Sequence, residues 1–207
     1  MKSILAFLIC FSPVVLNAQT DSVIHLYPNG QVKEKGIMAN GVKDGEWLFY
    51  HYNGQLSGKE SYSNGFREGK AFYYDTLGRL SAIEQYSSDL QKDSAWYYFP
   101  SGVLKRCGIF KSGSYHGLWK TYFEDGTVAN YGSYFYGLPD GAWTFYNPTG
   151  KLDAIYTYKE GLKEGEVLYF HSTKGYLTTK GSFCQDKECG TWYYFNKKGK
   201  VKMHFTY

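Results

Sequence analysis

Aromatic and aliphatic residues of this chain fall into short stretches, and polar stretches that contain glycine separate them. The alternation has a period of 24 residues, marked by Gly45, Gly69, Asp93, Gly117, Gly141 and Gly165. One extra residue near Lys174 shifts the next mark to Gly190. Self-similarity at a fixed period predicts a repeat architecture. The eight units are 21–44, 45–68, 69–92, 93–116, 117–140, 141–164, 165–189 and a truncated 190–207.

Four positions of each unit, counted from its first residue and leaving out the inserted residue of the seventh unit, carry mainly apolar side chains. Position 3 is tryptophan in four units and a small residue in the others, while position 6 is aromatic in seven. Position 12 is leucine or valine, and position 18 is aromatic or methionine. Because stacked repeats bury their faces on each other, we expect positions 3, 6, 12 and 18 to form the core.

Each unit has the pattern of a β-hairpin. The segment from Gly45 to Tyr50 is dense in aromatic residues that favour strands, and a turn ending in Gly54 follows it. A second strand runs from Gln55 to Tyr62, and a longer turn over 64–68 closes the unit. Position 10 is glycine in every unit, as expected where a turn needs a positive φ. The sequence predicts an all-β fold of about eight stacked hairpins, with residues 19–207 as one repeat domain.

The first eighteen residues have the pattern of a secretory signal peptide. Lys2 precedes a mostly apolar run from Ile4 to Leu16, and the small residue Ala18 stands before Gln19. This run is too short for a comfortable transmembrane helix, and no other apolar stretch approaches the length of a span. We therefore predict cleavage after Ala18 and export to the periplasm or the extracellular space, without a transmembrane segment.

Composition and charge narrow the function classes. A chain with 20% aromatic residues has ample apolar surface to bury, which excludes intrinsic disorder, and a net charge of +4 is too small to suggest a nucleic-acid binder. No Walker A loop or Gly-x-Ser-x-Gly elbow is present. His51 and His171 share a column but lie five units apart, too far to share a metal ion. We expect no catalytic residues, no metal site and no cofactor.

The repeat resembles the MORN-repeat variant family, whose bacterial members carry Gly-x-Trp-x-x-Tyr-x-x-x-Gly-x-Leu/Val. The matching residues are Gly45, Trp47, Tyr50 and Gly54; Gly117, Trp119, Tyr122 and Gly126; and Gly141, Trp143, Tyr146 and Gly150. The resemblance implies an elongated, twisted antiparallel sheet of stacked hairpins. Some bacterial relatives carry an antitoxin label, so the resemblance also implies an antitoxin or immunity-like role as one alternative.

Three units have aromatic residues at both positions 4 and 5. Successive residues of a strand point to opposite faces, and a single-layer sheet cannot bury both faces internally. Some of these rings should therefore be exposed and could form a binding surface. The residues are Phe72, Tyr73, Trp96, Tyr97, Tyr193 and Tyr194.

Acidic residues often close a unit, as at Asp44, Glu68, Asp140 and Glu164. We interpret them as turn residues on a solvated rim. The alternative is a row of carboxylates that binds cations along one edge, although Lys92 and His116 interrupt that row.

Three cysteines follow the predicted signal peptide. Cys184 and Cys189 flank the turn of the seventh unit, so we expect them to face each other across adjacent strands and form a disulfide in an oxidising compartment. Cys107 has no partner nearby in sequence and should remain a buried thiol. Cys10 lies in the signal peptide, where the bulky Ile9 before it disfavours lipidation.

These observations favour an exported, non-enzymatic binding or scaffold module whose exposed aromatic surface recognises a protein partner. The first alternative is a carbohydrate or cell-wall binder, because sugar rings stack on tryptophan and tyrosine. The second is the antitoxin or immunity-like role that the family resemblance implies.

Overall fold

A computed structural model describes residues 19–207, so the predicted signal peptide lies outside the described residues. The described residues form eighteen strands and no helix, which confirms the predicted all-β fold. The strands are β1 (Thr20–Leu26), β2 (Val32–Ala39), β3 (Val42–Tyr50), β4 (Leu56–Ser63), β5 (Phe66–Arg67), β6 (Gly69–Tyr74), β7 (Leu80–Ser87), β8 (Leu90–Gln91), β9 (Asp93–Tyr98), β10 (Leu104–Lys111), β11 (Ser114–Tyr122), β12 (Val128–Phe135), β13 (Leu138–Tyr146), β14 (Leu152–Lys159), β15 (Leu162–Phe170), β16 (Leu177–Cys184), β17 (Lys187–Phe195) and β18 (Val201–Thr206).

The strands form one open antiparallel sheet in hairpin order, elongated along the direction of the repeats. β4 pairs with both β5 and β6, and β7 pairs with both β8 and β9, because breaks at Glu68 and Lys92 each divide one strand into two. When β5 and β6 are counted as one strand, and β8 and β9 as another, the sixteen strands pair as eight successive hairpins.

The turn between units is tighter than the sequence predicted. Asn64 and Gly65 have φ of 50° and 87°, and Ser63 already pairs with Phe66. Two central residues with positive φ form a type I′ turn, whose twist matches that of the flanking strands. The predicted turn over 64–68 was therefore too long, because Phe66 and Arg67 belong to β5.

The turn within each unit follows the prediction. All eight position-10 glycines have positive φ, between 70° and 85°. In the second unit the amide of Gly54 donates to the carbonyl of His51 at 2.9 Å, and the amide of His51 donates to Gln55 at 2.8 Å. A residue with a Cβ adopts this backbone conformation only with strain, which explains the invariant glycine.

Tryptophan side chains cover one face of the sheet, and each lies flat over a glycine of the preceding strand. A Cβ built on Gly132 would lie 2.1 Å from Cδ2 of Trp143, so no other residue fits beneath that ring. The Trp143 Nε1 donates to the carbonyl of Ser133 at 3.1 Å. The same close approach holds for the other glycine–tryptophan pairs, Gly36–Trp47, Gly108–Trp119 and Gly181–Trp192.

Where position 3 is not tryptophan, the sizes of the two facing residues are reversed. The glycine lies at position 16, eleven residues before the position 3 that it faces. At the three internal junctions where the position-3 residue is small, the position-16 residue that faces it is large, and the small residue is almost fully buried. These pairs are Glu60–Ala71, Glu84–Ala95 and Tyr156–Val167. One large and one small residue therefore fill each junction between units, as close packing of protein interiors requires.

The expected core is correct for only two of its four columns. Position 3 is buried, and position 18 packs beside it, as in the T-shaped contact of Phe110 with Trp119 at 5.2 Å. Positions 6 and 12, such as Tyr50 and Leu56, pair with each other and are half-buried on the opposite face. A single-layer sheet has two faces, and alternation along the strands places these columns on different ones.

Candidate binding surface

The sheet presents two chemically different faces. We call the side that carries positions 3, 5, 14, 16 and 18 the tryptophan face, and the side that carries positions 2, 4, 6, 12 and 15 the second face. Trp143 and Phe145, at positions 3 and 5, lie 6.2 Å apart between ring centroids. On the second face Lys35, at position 15, lies 5.6 Å from the centroid of the Tyr50 ring at position 6.

The six aromatic residues proposed as a surface are divided between these faces. Phe72, Trp96 and Tyr193 lie on the second face, and Tyr73, Tyr97 and Tyr194 lie on the tryptophan face. Tyr193 is the one exposed member, and the other five are half-buried. The six side chains therefore do not form one continuous exposed surface, because adjacent residues of a strand cannot share a face.

Phe72 and Trp96 belong to an apolar row on the second face. Ile83 pairs with both of them across the strands, and Cys107 pairs with the other side of Trp96. Lys59 pairs with Phe72 at one end of the row, and Lys120 pairs with Cys107 at the other. Cross-strand packing thus accounts for the partial burial of the two rings.

Tyr73 and Tyr97 form hydrogen bonds to buried carboxylates on the tryptophan face. Tyr62 and Tyr73 donate to Glu60 at 2.6 and 3.0 Å, and Tyr86 and Tyr97 donate to Glu84 at 2.5 and 2.6 Å. Tyr73 and Tyr86 link the two groups, with their hydroxyl oxygens 3.3 Å apart. This carboxylate–tyrosine ladder comprises Glu60, Tyr62, Tyr73, Glu84, Tyr86 and Tyr97.

The ladder occupies the two junctions where alanine replaces tryptophan at position 3. Burial and then the hydrogen bond to Glu60 raise the pKa of Tyr62 above its ordinary range. Burial and the bond to Glu84 do the same for the pKa of Tyr97. The guanidinium carbon of Arg106 lies 4.3 Å from the centroid of the Tyr97 ring. A buried carboxylate needs hydrogen-bond donors, and the tyrosines supply them, so this cluster stabilises the fold.

An open groove lies on the second face, between the fifth and sixth units. Its volume is about 670 Å³, and its side chains come from Leu118, Lys120, Thr127, Val128, Tyr131 and Tyr146. The rings of Tyr131 and Tyr146 are tilted at 32° with centroids 6.3 Å apart. Gly126 and Gly150 line one end of the groove and leave it open because they have no side chain.

The groove combines a rigid apolar floor with one uncompensated positive charge. Leu118 is 48% exposed, and Lys120 is exposed without a carboxylate within salt-bridge distance in the described part of the chain. Thr144 is buried on the same face and pairs with Tyr131 across the strands. Strand pairing on both sides fixes the backbone beneath the groove, so it is formed before any ligand arrives.

The sequence pattern identified Gly126, Tyr146 and Gly150 among the groove residues, but assigned them to the repeat motif rather than to a binding site. Leu118, Lys120 and Tyr131 stand at positions 2, 4 and 15, where the repeat has no fixed residue type. These residues differ from those at the same positions of the other units. Because fixed columns maintain the fold, such variable positions are the ones from which a binding site could have been predicted.

The acidic residues that close the units do not lie in the turns that the sequence suggested, because the tighter turns leave Asp44, Asp140 and Glu164 within strands β3, β13 and β15. Asp44 accepts from the amide of Asn64 at 3.3 Å, and Glu164 accepts from the amide of Gln185 at 2.8 Å. Glu68 accepts from the amide of Ser88 at 3.0 Å. Each carboxylate thus binds the tight turn of the next unit. Residues 19–207 contain no cluster of three or more acidic, histidine or cysteine side chains that could hold a metal ion.

Cys184 and Cys189 form a disulfide with their Cα atoms 5.8 Å apart. They do not face each other directly, because Cys184 pairs with Lys187 and Cys189 pairs with Ser182. The two-residue turn shifts the register from the one expected for a longer turn, and the bridge is diagonal. Cys107 is a free thiol and is half-buried on the second face.

Comparison with known proteins supports the repeat assignment. The family described as MORN repeat variant matches residues 43–64, 115–135 and 139–160. The resemblance drawn from the glycine and tryptophan columns is therefore confirmed over these three segments. No curated protein matches the chain. The described residues contain no helix that is long and apolar enough to cross a membrane.

Two solved structures with local similarity contain chains that are far longer than this one. A crystal structure of the GtfA/B complex bound to UDP and GlcNAc matches with 13% identity and a TM-score of 0.25, over 56% of this chain and 22% of that one. A crystal structure of TcdB2-TccC3-Cdc42 matches with 14% identity and a TM-score of 0.26, over 90% of this chain and 12% of that one. This chain thus spans well under two thirds of either solved chain.

Proposed function

We propose that this chain of MORN-variant repeats is an exported, non-enzymatic binding module that holds a protein partner in the groove around Tyr131 and Tyr146. The observation that carries the proposal is the open apolar groove of about 670 Å³ on a face that no second layer of the described chain covers. Large exposed apolar patches on folded proteins mark interaction sites.

The chemistry of the groove defines the kind of partner segment. Tyr131 and Tyr146 provide large contact area at low cost in side-chain entropy, as tyrosines do at the centres of interfaces. Lys120 supplies a positive charge that no carboxylate of the described chain compensates. The segment that binds here therefore presents apolar side chains together with an aspartate, a glutamate or a terminal carboxylate.

Export rests on the sequence of the first eighteen residues. The disulfide between Cys184 and Cys189 supports it, because disulfides persist in oxidising compartments. The partner is therefore expected in the cell envelope or outside the cell. Sequencing of the exported protein should find Gln19 as its first residue, as cleavage after Ala18 predicts.

The test is quantitative capture of partners from the envelope fraction by the purified protein, followed by titration with the main captured protein. Tyr131→Ala and Leu118→Ser should weaken that binding at least about tenfold, because truncated interface anchors commonly cost more than about 1 kcal/mol. The matched control is Leu77→Ser, since Leu77 is 69% exposed in a turn of the third unit, away from the groove. Equal binding by all three variants would contradict the proposal.

The second candidate is glycan binding, which the open tyrosine rings of the same groove also favour. Sedimentation with insoluble cell-wall polymer separates the two functions. Polymer binding that is lost in Tyr131→Ala and kept in Leu77→Ser would assign the groove to sugar rings and would contradict the protein partner.

A further inference from the structure

The last strand leaves apolar side chains uncovered at one end of the sheet. Within the described residues β18 pairs only with β17, and Met203, Phe205 and Tyr207 are 49%, 53% and 63% exposed. Phe205 pairs with Trp192 across the strands, so these side chains lie on the tryptophan face. In every earlier unit, the first strand of the following unit covers this column.

The size exchange at the junctions defines the strand that would cover Phe205. Phe205 stands at position 16, and a large residue there faces a small residue at position 3, as Tyr156 faces the fully buried Val167. The first strand of this chain carries Val23 at position 3. Within the described residues β1 pairs only with β2, so its other edge is open.

The turn before β18 contains a side-chain amide, that of Asn196, that could donate a hydrogen bond across the same junction. Asn147 accepts from the amides of Thr149 and Lys151, and its side-chain nitrogen donates to the carbonyl of Ser172 in the next unit at 2.6 Å. Asn196, at the same position, accepts from Lys198 and Lys200 at 2.8 and 3.1 Å. Its side-chain nitrogen has no acceptor among the described residues, and Pro28 occupies the position equivalent to Ser172 in the first unit.

Lysine in β18 does not oppose such pairing. Lys202 stands at position 13, beside the register shift that each unit shows between its fifth and sixth positions. Lys33 and Lys105 occupy the same position in internal strands, which are paired on both edges.

We propose that two copies of this chain associate head to tail, with β18 of one copy pairing antiparallel to β1 of the next and continuing the sheet. By the register of the internal junctions, His204 lies opposite Ile24 and Met203 lies opposite His25. Val23 then covers Phe205. This interface joins two different surfaces, so a third copy can add to either end, giving rings or filaments.

The test is sedimentation of the full chain over a wide range of concentrations. The average mass should rise with concentration, and Val23→Trp should weaken association at least about tenfold, because the introduced indole and Phe205 together overfill the junction. Val23→Ala is the matched control and keeps a small residue there. Phe205→Gly alone should also weaken association, since a gap remains beside Val23.

Mixing the Val23→Trp and Phe205→Gly variants gives the sharpest result. The introduced indole of one copy packs over the introduced glycine of the other, as tryptophan and glycine do at four internal junctions. The opposite ends of the two variants still carry Phe205 and Val23, so every junction of an alternating array is filled. The mixture should therefore regain wild-type association, with the two variants in a one-to-one ratio.

Three results would each overturn the proposal. They are a monomeric wild-type chain at all concentrations, unchanged association of Val23→Trp, and a mixture that associates no better than either variant alone. Circular dichroism of each variant shows that it is folded.

Discussion

Gly132→Ala tests the packing rule on which the sheet depends. The new methyl carbon would lie 2.1, 2.3 and 2.4 Å from Cδ2, Cε2 and Cγ of Trp143, far inside van der Waals contact. The indole must move, and its hydrogen bond to Ser133 must lengthen or break. Overfilling a packed site costs about 1–3 kcal/mol, and complete loss of a buried tryptophan costs about 3–5 kcal/mol. We therefore expect a loss of about 3 kcal/mol in the free energy of unfolding.

Gly58→Ala is the matched control for this change. Gly58 also lies within a strand on the tryptophan face, but a Cβ there would lie 3.5 Å from Tyr73, at ordinary contact distance. Alanine restricts the unfolded chain more than glycine does, so Gly58→Ala should be neutral or stabilising by up to about 1 kcal/mol. Urea unfolding followed by circular dichroism and tryptophan fluorescence measures both variants.

The clash hypothesis also predicts strong non-additivity. In a Trp143→Ala background the ring is absent, so Gly132→Ala should cost less than about 1 kcal/mol, and the two sites should couple by about 2 kcal/mol. A cost of Gly132→Ala that is equal in both backgrounds, or no larger than that of Gly58→Ala, would refute the packing rule.

Three further predictions concern the turns, the carboxylate–tyrosine ladder and the disulfide. Gly126→Val should destabilise the protein by more than about 1 kcal/mol, because Gly126 has φ of 85°; an unchanged urea midpoint would contradict this. Burial raises the pKa of Tyr62 and Tyr97 above the unfolded value of about 10. The free energy that the ladder contributes to folding is therefore fully present below that pH and falls as pH rises further, because the unfolded chain ionises first. Phenolate absorbance of the ladder tyrosines should therefore appear only as the protein unfolds, and ionisation of all tyrosines in the folded protein would count against the ladder. Reduction of the Cys184–Cys189 bridge should lower stability by about 1–2 kcal/mol on the loop-closure scale, and mass spectrometry that finds both thiols free would contradict the bridge.

The repeat and its turns were predictable because their causes are local. A glycine with positive φ, such as Gly54, needs only its own hairpin, and the 24-residue period follows from the sequence alone. The assignment of residues to the two faces could also have been predicted from the sequence. Strict alternation along a strand places Tyr73 and Phe72 on opposite faces, and likewise Tyr50 and Trp47, without any knowledge of the strand pairing.

The junctions and the groove depend on contacts between strands, and these were harder to foresee. Gly132 precedes Trp143 by eleven residues, and three other tryptophans follow a glycine at the same interval, so this spacing is visible in the sequence. The spacing alone does not show that the residues are in contact, because that depends on the strand register that places the ring over the glycine. The groove arises where side chains of neighbouring units meet, as Tyr131 and Tyr146 do, and no single unit contains it.

Hydroxyl-radical footprinting tests the central claim of a binding groove most directly. The protein is oxidised alone and in the presence of the captured envelope partner, and modification is quantified for each side chain by mass spectrometry. We predict strong protection of Leu118, Tyr131 and Tyr146 in the complex, and unchanged modification of Tyr52 and Leu77, which lie in exposed turns of other units. Protection confined to the tryptophan face or to the turns, with Tyr131 and Tyr146 modified as in the free protein, would contradict the proposed function.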